Sequence, residues 1–100
     1  MKLNGFELPD ALLAEYCRKN RIRELAAFGS VLRGDFGPNS DLDLLVVFDA
    51  DVEIGLLGLA RIQRELSKLV GRRVDLVPKD GLKRRIREEV LAGSRVLYAA

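Results

Sequence analysis

The run Leu42-Asp43-Leu44-Leu45-Val46-Val47-Phe48 is apolar except for Asp43. Turn-forming residues bound it on both sides, Pro38-Asn39-Ser40 before and Asp49-Ala50-Asp51 after. A short apolar run of this kind reads as a strand covered on both faces, in the interior of a sheet. An ionised carboxylate buried on such a strand without a partner costs several kcal/mol. Asp43 therefore needs a ligand or an open cleft. Asp41 precedes it by two residues, and strand side chains at i and i+2 project from one face. Two adjacent carboxylates repel unless a cation lies between them, and the pair suits a hard divalent metal such as Mg²⁺.

The remaining elements arrange themselves around that strand. Residues 1–9 read as a short lead. Asp10 is a plausible N-cap of a helix whose Leu12, Leu13, Tyr16 and Cys17 share one face, and Asn20 ends it. Ile22 to Phe28 is the first strand. A short helical turn starts at Ser30 and is broken by Gly34 and Gly37-Pro38-Asn39. Asp49-Ala50-Asp51 closes the central strand and can cap a helix over Ile54 to Val70, with Leu59, Ile62, Leu66, Leu69 and Val70 buried and Gly71 just past its end. Val74 to Val77 is a third strand, interrupted by Asp75 and ended by Pro78. Asp80 caps a helix over 81–92 that turns Leu82, Ile86, Val90 and Leu91 inward. Arg95 to Tyr98 adds an edge strand. The expected fold is α/β (α+β): one domain over 1–100, a mixed sheet of three to four strands flanked by helices.

Connection rules sharpen the picture. Gly29-Ser30 follows the first strand and Asp41 begins the second, so both line one site only if these strands run antiparallel. The long helix between the second and third strands is the usual parallel crossover. Parallel neighbours bring Asp43 and Asp75 together on one face. Gly29 and Ser30 supply backbone N–H groups and a hydroxyl, which suit a phosphate; Ser40 and Arg33 are further candidates for phosphate contact, although a loop arginine serves equally well as a solvated residue. Three aspartates at one end of the sheet would hold two Mg²⁺ ions roughly 3.5–4 Å apart, beside a nucleoside triphosphate. Asp75 is placed to accept a proton from an attacking hydroxyl.

Several chemistries are excluded. Gly29 to Gly34 matches G-x-x-x-x-G, but Asp35 and Phe36 stand where a P-loop needs Lys and Ser or Thr. The chain has no histidine, so His bases, His triads and His-ligated zinc are absent. The single cysteine, Cys17, reads as a small core residue with no internal disulfide, which fits a cytoplasmic protein. No apolar run reaches the ~18 residues of a membrane span. Residues 61–87 hold ten Lys or Arg against Glu65, Asp75 and Asp80, whereas the first sixty residues are net acidic. A basic half of this kind contacts phosphates or an acidic partner, or is simply a solvated helix face. No aromatic stacking platform accompanies it, so direct nucleic-acid binding is not expected.

Gly29-Ser30, then ten residues, then Asp41-Leu42-Asp43 resembles the G-S-x10-D-x-D signature of minimal nucleotidyltransferases, within the DNA polymerase β-like nucleotidyltransferase superfamily. The resemblance runs from Phe28 to Val47, through Val74 to Val77, and into Ile86-Arg87-Glu88-Glu89-Val90. It implies the nucleotidyltransferase fold, Gly29 and Ser30 on the nucleotide phosphates, and Asp41, Asp43 and Asp75 as catalytic metal ligands for Mg²⁺, with ATP as substrate. Small stand-alone members resemble antitoxins paired with HEPN-domain ribonuclease toxins. The resemblance therefore implies a hetero-oligomeric partner and transfer of AMP from ATP onto a toxin tyrosine. The rival readings are an antitoxin that masks the toxin by binding alone, and a nucleotidyltransferase acting on an RNA end or a small molecule.

Overall fold

The order of strands across the sheet decides where every candidate residue lies. The computed structural model describes residues 1–100. In chain order the elements are β1 (Lys2–Leu3), β2 (Phe6–Glu7), α1 (Asp10–Lys19), β3 (Ile22–Phe28), α2 (Ser30–Arg33), β4 (Leu42–Phe48), α3 (Leu56–Val70), β5 (Val74–Pro78), a 3-10 turn (Lys79–Gly81), α4 (Arg84–Ala92) and β6 (Arg95–Ala99). The main sheet has the order β5-β4-β3-β6. β3 is antiparallel to both β4 and β6, and β4 is parallel to β5. The apolar run thus occupies an interior position, and the crossover through α3 is parallel, as the residues require.

Alternation divides the two faces. Leu25 and Ala27 of β3, Leu42, Leu44 and Val46 of β4, and Val74 and Leu76 of β5 join one core with Leu13 and Cys17 of α1 and Ile62, Leu66 and Val70 of α3. Truncating a fully enclosed member such as Leu44 to Ala costs about 2–5 kcal/mol. The opposite face carries Ala26, Asp43, Leu45, Val47 and Asp75, and Leu91 of α4 lies over its apolar part. α4 encloses no residue fully, so its cover is looser than that of α1 and α3.

Some local expectations are corrected. Residues 1–9 contain a hairpin, because Asn4 (φ +47°) and Gly5 (φ +85°) supply the two positive-φ positions of a tight two-residue turn. Its flanking Leu3 and Leu8 are buried in the core. Leu12 is exposed rather than inward. Asp10 is the first residue of α1 and Pro9 takes the cap position without a side-chain bond. α3 starts at Leu56, since Asp49 and Asp51 are engaged by Arg21 (3.1 and 2.6 Å) instead of capping it. Asp80 lies within the 3-10 turn, and the last helix starts only at Arg84. Ile86, expected inward, is exposed.

Candidate active site

Gly29 lies where β3 ends and α2 begins, with φ +77° and ψ −146°. That region is open essentially only to glycine. A second constraint acts on the same atom: Phe28 pairs with Asp43 across β3 and β4, and a Cβ built on Gly29 would run into Asp43 Oδ2. The turn is thus shaped around the carboxylate. Ser30 follows as the first residue of α2, half-buried, and Gly34 (φ +83°) closes that turn. Asn4 of the hairpin donates to the Val31 carbonyl (2.6 Å) and ties the turn to the N-terminal strands.

Asp75 is the register partner of Asp43 in the parallel β4–β5 pair. β5 is an edge strand, and α3 supplies partners for its outer amides. Val74 N–H donates to Ser67 Oγ and Leu76 N–H to Gln63 Oε1, each 2.9 Å. Asp75, between them, is held at a fixed height opposite Asp43 while its own side chain stays exposed.

The carboxyl of Asp43 is raised above the usual Asp range, first by burial and then by the negative charges of Asp75 and Asp41, with Arg33 partly offsetting them. Three charges that the sequence singles out, Asp75, Asp41 and Arg33, therefore act on this one carboxyl. Arg33 and Asp43 line a cleft of about 390 Å³ with Phe28, Gly29 and Leu32, closed on its far side by Glu89, Val90 and Gly93 of α4 and its end. Glu89 had no role assigned from sequence, because only the placement of α4 over this face brings it there.

Asp41 and Ser40 are placed differently. Asp41 Oδ1 accepts from Arg73 Nε at 2.7 Å, a pairing across 32 residues that sequence spacing could not show. Asp41 thus has a basic neighbour, Arg73. Ser40 Oγ accepts from the Gly37 N–H (2.9 Å) inside its own loop, and both Ser40 and Asp41 line a second cleft with Gly71, Arg72 and Arg73. No three carboxylates gather closely enough to form a ready-made metal cage. The donor set nevertheless fits a hard divalent cation: all are carboxylate oxygens, Asp43 and Asp75 are neighbours in register on one face of the sheet, and their mutual repulsion is what a cation would relieve.

Comparison with known proteins bears on the family and the fold. Residues 10–97 match the family model described as nucleotidyltransferase domain. The chain is 44% identical over 71 residues to the protein adenylyltransferase MntA of Thermococcus cleftensis, covering 70% of this chain and 69% of that protein. A solved chain assigned to the minimal nucleotidyltransferases is 37% identical, covers 94% of both chains and superposes with a TM-score of 0.74. A toxin–antitoxin crystal structure with AMP-PNP shares the fold, with a TM-score of 0.76 at 20% identity, over 93% of this chain and 75% of that one. No helix is long and apolar enough to cross a membrane.

Proposed function

From the premise that the chain belongs to the nucleotidyltransferase domain family and is a nucleotidyltransferase, we propose that it transfers AMP from ATP to a tyrosine hydroxyl of a partner HEPN ribonuclease toxin, with magnesium as the metal. One observation carries the reading: a glycine turn built around the Asp43 carboxylate, with Asp75 in register beside it. Gly29, Arg33 and Asp43 line one cleft. The names of the matched proteins, a protein adenylyltransferase and a toxin–antitoxin with AMP-PNP, support the nucleotide and the class of acceptor.

The Gly29–Ser30 turn donates N–H groups and a hydroxyl to the triphosphate, and Arg33 adds positive charge at the cleft. Asp41, Asp43 and Asp75 would hold Mg²⁺, which when bound neutralises the phosphates and the departing pyrophosphate. The acceptor oxygen bonds to the α-phosphorus while the bond to the bridging oxygen breaks. Pyrophosphate leaves with that electron pair, and the hydroxyl proton passes to a carboxylate oxygen of Asp75. Positioning and charge stabilisation account for most of the rate in such transfers. Arg73 engages only Oδ1 of Asp41, which leaves Oδ2 for a metal.

Mass spectrometry of the co-expressed toxin tests the reading. The wild-type chain adds one or more AMP units to a tyrosine, and Asp43→Asn adds none. A toxin silenced but unmodified would leave masking by binding as the function.

A further inference from the structure

The loop that delivers Asp41 is held by a residue that is in neither the phosphate turn nor the carboxylate set. Arg72 Nη1 donates to the carbonyls of Gly37 (2.7 Å) and Ser40 (2.9 Å), which bracket the tight turn just before Asp41. That turn is closed internally by Ser40 N–H to the Gly37 carbonyl (3.1 Å) and by Gly37 N–H to Ser40 Oγ. The Arg72 guanidinium also lies over two rings, Phe36 of the same loop (4.4 Å) and Phe6 of the hairpin (5.1 Å), which touch each other at 5.3 Å between centroids. Its partners are carbonyls and aromatic faces rather than a carboxylate. Such a half-buried cation is committed to geometry.

We propose that Arg72 is a positioning residue for metal and nucleotide binding: it locks the Gly37–Ser40 turn so that Asp41 stands beside Asp43. The inference rests on the nucleotide reading above and deepens it. Asp43 needs no such help, because it lies within β4 and pairs with Phe28 and Asp75. Asp41 lies outside the strand, at the end of the loop. Arg72 and Arg73 divide the work. Arg73 pairs with the Asp41 carboxylate; Arg72 holds the backbone. Both carbonyl bonds come from the one Nη1 nitrogen; a lysine ammonium could make them but has no planar guanidinium to stack on the two rings, so it replaces Arg72 only in part.

The test is a titration of magnesium at fixed ATP, following nucleotide binding by calorimetry, for the wild type, Arg72→Ala, Arg72→Lys and Phe36→Leu. Removing partners that orient metal ligands weakens metal affinity by about 10–100-fold. Arg72→Ala should raise the half-saturating magnesium concentration about tenfold or more and leave ATP affinity in EDTA unchanged. Arg72→Lys should recover only part of the loss. Phe36→Leu, which spares both carbonyl bonds, should fall between, and it carries the test if Arg72→Ala does not fold. Ile62→Val, a core change of modest cost, controls for general loosening and should leave the midpoint in place. A metal-dependent wild type with an Arg72→Ala midpoint within about twofold of it would overturn the inference alone. A wild type whose ATP binding ignores magnesium would overturn the proposed function, and the inference with it.

Discussion

Gly29→Ala perturbs the turn and the carboxylate at once. Alanine at φ +77°, ψ −146° occupies a region that costs about 1–3 kcal/mol for a residue with a Cβ. The new methyl also meets Asp43 Oδ2, and forcing a side chain aside in a packed site adds about 1–3 kcal/mol. Gly34→Ala is the natural comparison. Gly34 has φ +83° but ψ 0°, in the left-handed helical region that costs a residue with a Cβ less, and a Cβ there meets nothing within 4 Å, so both costs are smaller there. Each kcal/mol lowers the melting temperature of a domain this size by about 4–8 °C. Gly29→Ala should therefore melt well below Gly34→Ala, and lose magnesium-dependent ATP binding while Gly34→Ala keeps it. Thermal melts and calorimetry on both variants read this directly. The double variant Gly29→Ala/Asp43→Gly should regain part of the lost stability, because the colliding carboxylate is gone and the two sites are coupled. If Gly29→Ala were no less stable than Gly34→Ala and still bound magnesium–ATP, the contact between the turn and Asp43 would not be what shapes the site.

Three further outcomes follow from the same geometry. Asp43→Asn should abolish metal-dependent binding yet stabilise the ligand-free chain. The Asp43 pKa is raised in the folded state by burial and by its acidic neighbours, so the charged form opposes folding; the stabilising effect of Asn should be absent at low pH and grow as pH rises from the ordinary Asp range upward, as denaturation at several pH values would show. Ser30→Ala should reduce transfer less than any of the aspartate changes, since a lost hydrogen bond to a charged acceptor costs about 1.5–3 kcal/mol, and kinetics with Ser30→Ala as inactive as Asp43→Asn would contradict the assigned roles. Arg84 and Arg85 are exposed on α4, and reversing both charges should slow association with the toxin with a marked salt dependence in stopped-flow or surface-binding measurements.

Much of this architecture is legible in the residues themselves. Ile22–Phe28 and Leu42–Phe48 coincide with the strands read from the chain: the first ends in the apolar run Leu25 to Phe28, and the second is apolar except for Asp43 and bounded by turn-forming residues. Asp43 announces itself by being the one charge on such a strand, and the crossover rule then places Asp75 opposite it. Contacts made across long separations are not legible. Arg72 binds backbone carbonyls 32 and 35 residues away, and carbonyls leave no mark on a sequence. Arg73 takes Asp41 from across the same gap. The Asn4-Gly5 hairpin did carry a signal, the dipeptide favoured in two-residue turns, but strands of two residues each are too short to show alternation. The late start of α4 has a different origin: Pro78 and the 3-10 turn that follows it use up the residues through Gly81 before helical geometry begins.

Calorimetry of ATP binding with magnesium and with EDTA tests the central claim most directly, because carboxylates alone repel a triphosphate and a metal reverses the sign. The wild-type chain should bind ATP in magnesium, bind it far more weakly in EDTA, and lose the difference in Asp43→Asn. Equal affinity in magnesium and EDTA would contradict the assignment of Asp41, Asp43 and Asp75 as the metal–nucleotide site.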